Sequence, residues 1–272
     1  MPQAERAEHY AELHRRPNLF LLPNAWDGGT AKLLASLGFE AIATTSAGLA
    51  FNLGRRDAEG ALSREETLAN GRAIAEATDL PVNADLENGF GDAPEDCSRT
   101  VLGAIGAGLA GGSIEDATGR KDQPFYELSH AAERVRAAAE AARSGTFVFT
   151  ARCENFLHGN TDLADTIRRL QAYQEAGADV LYAPGLAKLE DIRSVISSVD
   201  RPVNVLASMA TQTFCVADLA AIGVKRVSIG GSFARAAYGA LRRAALEFRD
   251  QGTFNFAKEA MSYAELSGIF GK

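Results

Sequence analysis

Two phrases of apolar and polar residues alternate along the chain. In the first, a helical stretch runs through a glycine into a short apolar run, as in LLASLGFEAIATTS, VLGAIGAGLAGGSIED, YQEAGADVLYAPG and LAAIGVKRVSIGG. In the second, a break precedes the apolar run, as in RPNLFLLPNAWD, DLPVNADLENG, SGTFVFTARCEN and DRPVNVLASM. The eight runs predict strands at about 18–24, 41–46, 81–86, 111–115, 147–153, 180–184, 202–207 and 226–230. Helical spacing fills the intervals. SREETLANGRAIAEAT opens on Ser63 and Glu66, a capping-box pair, and TDLADTIRRLQAYQEA is a second example. Strands that alternate with helices build right-handed βαβ units and a parallel sheet. Eight such units in about 230 residues predict a closed TIM-type (β/α)8 barrel. The competing architecture is an open doubly wound sheet, and its dinucleotide-binding version lacks the required G-x-G-x-x-G after strand 1. Residues 240–272 read as one or two helices beyond the barrel, placed to cap it or to pack on a neighbouring subunit. No linker interrupts the chain, so 1–272 is taken as one domain.

Composition narrows the class. The 46% hydrophobic and 23% charged content is that of a soluble globular protein. A net charge of −7 argues against nucleic acid as the main partner, yet a local Arg or metal can still draw in an anionic substrate. Cys97, Cys153 and Cys215 are too far apart for a zinc site and too few for a disulfide framework, which fits a reducing cytoplasm. The opening MPQAERAEHYAELHRRP has no apolar core of a signal peptide, and no run of 18 apolar residues predicts a membrane span.

The stretch PVNADLENGFGDAPED raises the chemical question. Side chains at i and i+2 of a strand share a face, so Asp85 and Glu87 point the same way and repel unless a cation or a proton intervenes. In a barrel of this type the chemistry sits at the C-terminal strand ends. Those ends carry Asn24 and Asp27, then Thr45-Ser46-Ala47-Gly48, Asp85 and Glu87, Glu115-Asp116, Arg152 and Glu154, Tyr182, Asn204, and finally Ser228, Gly230 and Gly231. Asp57 lies in the loop after strand 2. Carboxylates clustered without His or Cys suit a hard cation, Mg2+ or Mn2+, and Asp85, Glu87, Glu115 and Asp57 can hold it mostly through water. Arg152, on the apolar strand FVFTARCE, is costly unless paired. It can clamp a substrate carboxylate or form a structural pair with Glu115 or Glu154. Ser46, Ala47 and Gly48 offer backbone N–H groups to a carboxylate or phosphoryl oxygen. Cys153 should face away from the barrel interior and pack, and His9, His14 and His130 read as ordinary helix residues.

Taken together, these motifs resemble the isocitrate lyase / phosphoenolpyruvate mutase superfamily over nearly the whole chain. LPNAWDGGTAKLLASLGFEAIATTSAGLA is similar to that family's opening segment. DLENGFGD is similar to its D-x-D-x-G-[FY]-G metal motif, with Glu87 in place of the second Asp. GGSIED supplies Glu115, and TARCEN resembles the family's A-R-T-D segment, with Cys153 and Glu154 replacing Thr and Asp. The resemblance implies an enzyme that uses Mg2+ (or Mn2+) on small 2-oxo or 2-hydroxy acids, passing through a pyruvate enolate-like species. Asp85 would bind the metal directly, and Asp57, Glu87 and Glu115 would bind it through water. Arg152 would clamp the substrate, and Ser46, Ala47 and Gly48, with Tyr182 and Asn204, would line its site. It also implies a homodimer or homotetramer whose eighth helix is exchanged between subunits.

One departure bears on the reaction. The family's isocitrate and methylisocitrate lyases carry K-[KR]-C-G-H after strand 4, whereas this chain has DATGRKDQPFYELSHA. Arg120, Lys121 and Asp122 could gate the site there or simply form a solvated loop. Strand 6 also lacks the Glu that those lyases carry near Pro184. The leading expectation is a Mg2+-dependent lyase or decarboxylase that cleaves a C–C bond. The alternatives are a phosphoenolpyruvate mutase or carboxyphosphonoenolpyruvate phosphonomutase type of P–C enzyme, and a non-catalytic oxo-acid-binding protein. A phosphate-gripping turn at SIGGSFARA is a weaker option, because strand 7 ends in VLASM without a partner glycine pair.

Overall fold

A computed structural model describes residues 1–57, 60–208, 211 and 213–271. Eight parallel strands form one sheet in the order β1-β8-β7-β6-β5-β4-β3-β2. They are β1 Phe20–Leu22, β2 Ile42–Ala43, β3 Val82–Asp85, β4 Gly111–Glu115, β5 Val148–Arg152, β6 Val180–Tyr182, β7 Val203–Leu206 and β8 Arg226–Ser228. A parallel bridge from Asn24 to Ala43 brings the β1 and β2 edges together and closes the barrel. All eight strands lie inside the predicted intervals, as expected of apolar runs that are covered on both faces.

The intervening helices are α2 Gly28–Ser36, α3 Ser46–Asn52, α4 Arg64–Glu76, α5 Pro94–Gly106, α6 Leu128–Ser144, α7 Leu163–Ala176, α8 Leu189–Ser197, α9 Val216–Ala221 and α10 Ser232–Gln251. Their ends follow local chemistry. Ser63 accepts from the Glu66 backbone N–H in the predicted capping box of α4. Asp162 caps α7, and Gly177 ends it at φ 111°, a left-handed conformation that a side chain would strain. The turn read as Thr45-Ser46-Ala47-Gly48 is the start of α3, with Thr45 as its cap. Gly48 packs so tightly there that a Cβ would lie 2.6 Å from the Thr45 methyl and 2.8 Å from the Trp26 Cβ.

An N-terminal helix, α1 Gln3–Arg15, fixes which end of the barrel is open. Its Ala7, Tyr10 and Leu13 are fully buried against Phe20, Ala41, Ala110, Val148 and Val180. Those partners sit at the N-terminal ends of strands, so α1 plugs that end and leaves the C-terminal mouth accessible. Beyond the barrel, a 3-10 turn at Asn255–Lys258 leads into α11 Tyr263–Phe270, which packs on α2. α10 runs unbroken from Ser232 to Gln251 after β8. No helix among the described residues is long and apolar enough to cross a membrane. Cys97 and Cys153 are buried thiols and Cys215 is an exposed one.

Candidate active site

Strand register brings the predicted residues to one level of the wall. Asp85 pairs with Ser113, Glu115 with Arg152, and Arg152 with Tyr182. Neighbouring strands lie about 4.8 Å apart, so these side chains enter the mouth side by side. Nη1 of Arg152 is 3.2 Å from Glu115 Oε2 and 3.6 Å from Asp85 Oδ1. Its Nε pairs with the buried Glu154, and its guanidinium lies 5.3 Å from the Tyr182 ring centroid. Arg152 thus has the structural pairs foreseen with Glu115 and Glu154, while Nη2 enters none of these ion pairs.

Asp85 is held by its surroundings. Its carboxylate accepts from the backbone N–H of Ser46 at 3.2 Å and of Glu87 at 3.3 Å, and its own N–H donates to Thr44 Oγ1 at 3.0 Å. Glu87 has φ 46° and Phe90 φ 59°, left-handed values that are unusual for residues with a Cβ. The turn aims the Glu87 carbonyl at the N–H of Glu115, 2.9 Å away, and so ties the β3 and β4 ends together. Strain of this kind is found where neighbouring structure holds a functional loop.

The charges do not balance. Burial pushes the Glu87 carboxyl up to about 8, with Asp85 and Asp57 adding to the rise and Arg152 opposing it. Burial also raises Glu115 well above the carboxylate range, against the pull of Arg152, and raises Glu154. These buried acids therefore tend to hold protons where no cation offsets their charge. The donors are oxygens throughout, which suits a hard divalent cation. No group of three or more His, Cys, Asp or Glu among the described residues converges as a direct ligand set.

These walls enclose a cavity of about 190 Å3 lined by Ser46, Ala47, Asp57, Asp85, Arg152, Tyr182 and Asn204 among others. Gly48 is buried and its N–H faces the Thr45 cap, so it shapes the cradle from behind. Burial pushes the Tyr182 phenol up to about 12, so it stays a hydroxyl. Of the residues in the loop after β4, Arg120 binds Asp92 at 2.7 Å, and Lys121 and Asp122 are exposed. A wider depression of about 460 Å3, lined by Phe51, Arg55, Arg235 and Tyr238, carries no acid.

Some of the polar framework escapes sequence reasoning. Asp116, beside Glu115, accepts from Arg169 at 3.1 Å, from the Tyr173 hydroxyl at 2.5 Å and from the Glu154 N–H at 2.8 Å, so it is a structural anchor. His14 is not an ordinary helix residue: it is 6% exposed and meets Arg226 beneath the barrel floor. Arg226 itself could have been noticed, since it is a charge on an apolar strand two residues before Ser228 and hence on the same face. The Asn83 Oδ1, also lining the cavity, has no hydrogen-bond partner. Cys153 packs in the core outside the barrel, as expected from its parity with Arg152.

A family model described as phosphoenolpyruvate phosphomutase matches residues 10–249. A protein from Burkholderia cenocepacia J2315, described as a lyase/mutase, superposes with a TM-score of 0.96 at 51% identity, over 99% of this chain and 97% of that one. The 2-methylisocitrate lyase of Escherichia coli K12 is 32% identical over 198 residues, 70% of this chain and 66% of its own length. A phosphonopyruvate hydrolase, solved in complex with oxalate and Mg2+, superposes with a TM-score of 0.89 at 27% identity, over 100% of this chain and 95% of that one.

Proposed function

The chain belongs to the phosphoenolpyruvate phosphomutase family of lyases and mutases, and on that footing we propose that its barrel mouth cleaves a C–C bond in a small 2-oxo or 2-hydroxy acid. The carrying observation is the meeting of Asp85, Glu115 and Arg152 at one level of the mouth, with Nη1 of Arg152 within 3.6 Å of both acids. Asp85, with Asp57, Glu87 and Glu115 around it, would hold Mg2+ or Mn2+. Such an ion, when bound, supplies Lewis-acid stabilisation to an oxygen that becomes anionic as a pyruvate enolate-like species forms.

The chain's own groups do the remaining work. Arg152 is locked by three carboxylates and backed by the Tyr182 ring, so its guanidinium is preorganised to meet a substrate carboxylate. Ser46 and Ala47 line the cavity at the start of α3, where the Ser46 N–H is given to Asp85. Tyr182 and Asn204 line the same cavity. A cavity of about 190 Å3 suits a small acid.

A second reading, P–C bond chemistry of the phosphonopyruvate type, is favoured by the likeness to the hydrolase that binds oxalate and Mg2+. The β4 loop carries no Cys in either case. Oxaloacetate, 2-methylisocitrate, isocitrate and phosphonopyruvate, each supplied with Mg2+, test the two readings, with pyruvate and phosphoenolpyruvate assayed as products. Pyruvate from a carbon acid supports the first. Products from phosphonopyruvate alone would replace it by the second. Binding of these acids without turnover would leave an oxo-acid-binding protein.

Assembly into a homodimer or homotetramer is part of the same reading. Only Ala234 of α10 is buried, and Phe233, Tyr238, Leu241 and Phe248 are exposed along it. An apolar helix face of that extent fits a second copy of the chain.

A further inference from the structure

Breaking a C–C bond leaves an electron pair on carbon, and the enolate so formed must be given a proton. The loop after β4 holds no Cys to supply it. The ionisable side chains that line the cavity are Asp57, Asp85, Arg152, Arg226 and Tyr182. The two guanidinium groups hold their protons too tightly to give one up. The two Asp side chains belong to the acids assigned to the cation. Tyr182 is therefore the remaining proton carrier among the described residues that line the cavity.

Its surroundings suit that role. Strand pairing sets Tyr182 between Arg152 of β5 and Asn204 of β7. Arg152 Cζ lies 5.3 Å from the centroid of the ring. On the other side, a chain of hydrogen bonds leads up to the phenol from the buried Arg226. Arg226 Nε donates to Asn204 Oδ1 at 2.8 Å, and Asn204 Nδ2 donates to Ser228 Oγ at 2.9 Å. Ser228 accepts there, so its own hydroxyl donates to the Tyr182 oxygen. A guanidinium can only donate, so every bond of the chain runs toward Tyr182. The phenol oxygen is an acceptor in it, and the phenol proton is left for the cavity. Burial holds this phenol up at about 12, with Arg152 opposing the rise, Glu154 and Asp85 adding to it and Ser228 opposing it. The resting group keeps its proton, and the charge that forms once the proton has left is met by a cation and a hydrogen bond.

We propose that Tyr182 is the catalytic acid of the site and that Ser228 is a positioning residue that holds its oxygen. As the C–C bond breaks, its electron pair stays on the enolate. The Tyr182 O–H bond then breaks and its proton forms a C–H bond at the enolate carbon. The phenolate takes a replacement proton from water, which leaves as hydroxide. This inference rests on the reading of the cavity as an oxo-acid site, yet the proton transfer can be measured apart from C–C cleavage.

Pyruvate in D2O with Mg2+ separates the two, because its methyl protons exchange with solvent as its enolate forms and is protonated again. NMR on the full-length protein follows that exchange. Calorimetry follows the binding of oxalate, a compact stand-in for the enolate. Turnover of oxaloacetate, isocitrate and 2-methylisocitrate is assayed in parallel. Tyr182→Phe should slow whichever of exchange and turnover the wild type performs by about 100-fold or more, the usual share of a general acid. KM and oxalate affinity should stay within about threefold, since the ring remains and only the proton is lost. Ser228→Ala should slow the same steps about tenfold at unchanged KM, the value of one hydrogen bond to a charged group, and Ser228→Thr should restore them. A Tyr182→Phe protein as fast as the wild type overturns the proposal. So does one that loses oxalate binding in step with its rate, because the hydroxyl would then only bind. Wild-type exchange without cleavage of any carbon acid removes the C–C reading and leaves Tyr182 in place. Cleavage that survives Tyr182→Phe keeps that reading and removes Tyr182. A wild-type protein that neither exchanges nor cleaves overturns both.

Discussion

The backbone N–H of Ser46 donates to Asp85 Oδ2 across 3.2 Å, so the first residue of α3 steadies the carboxylate that ends β3. That bond joins the two features on which the proposed chemistry depends, the acid cluster and the anion cradle. Asp85→Asn keeps an acceptor for Ser46 and removes the charge. Turnover with Mg2+ should fall by about 100-fold or more, while the melting temperature changes by no more than about 2 °C. Activity that survives both this substitution and a metal chelator would remove Asp85 from the proposed role.

Acid should weaken the fold through His14. Its folded value of about 3 lies below the ordinary 6.5, so as pH falls the unfolded chain takes up the proton first. The contribution of this site is whole above pH 6.5 and is lost as pH falls from there toward about 3. The slope is about 1.4 kcal/mol per pH unit, or about 2 kcal/mol between pH 8 and pH 5. Urea unfolding of the wild type and of His14→Gln at both pH values checks this: the variant should lose about 2 kcal/mol less than the wild type over the interval.

Asp116→Ala should unfold the protein more readily. It strips one carboxylate from Arg169, Tyr173 and the Glu154 backbone and leaves Arg169 with Asp165 as its ion-pair partner. The expected cost is about 2–3 kcal/mol, from the buried donors left without an acceptor, a drop of roughly 7 °C in calorimetry. A drop below about 2 °C would show that this network does not anchor the β4 end.

Light scattering on the purified chain should give the mass of a dimer or tetramer. Leu241→Glu combined with Phe248→Glu places charges on the exposed face of α10 and should shift the mass toward a single chain. A wild-type protein that runs as one chain at micromolar concentration would sink the assembly reading.

Much of the fold was legible because its signals are local. The apolar runs mark strands that are covered on both faces, and Ser63 with Glu66 marks a helix start by spacing alone. Parity along β5 was enough to send Arg152 inward and Cys153 outward. The floor was harder to read. Tyr10 and His14 are separated from Arg226 by more than two hundred residues, and nothing in α1 shows which barrel residue it will meet.

The sequence by itself determined the eight-unit parallel architecture and the end of the strands where acids and Arg152 collect, since periodicity and strand parity depend only on neighbours in the chain. Tertiary structure decided the rest. It tied Arg152 to three carboxylates, turned Asp116 into an anchor, and placed Arg226 beneath Asn204 and Ser228. Those outcomes depend on strand register and on α1 plugging the barrel, which bring distant residues within hydrogen-bonding range and set what each can donate or accept.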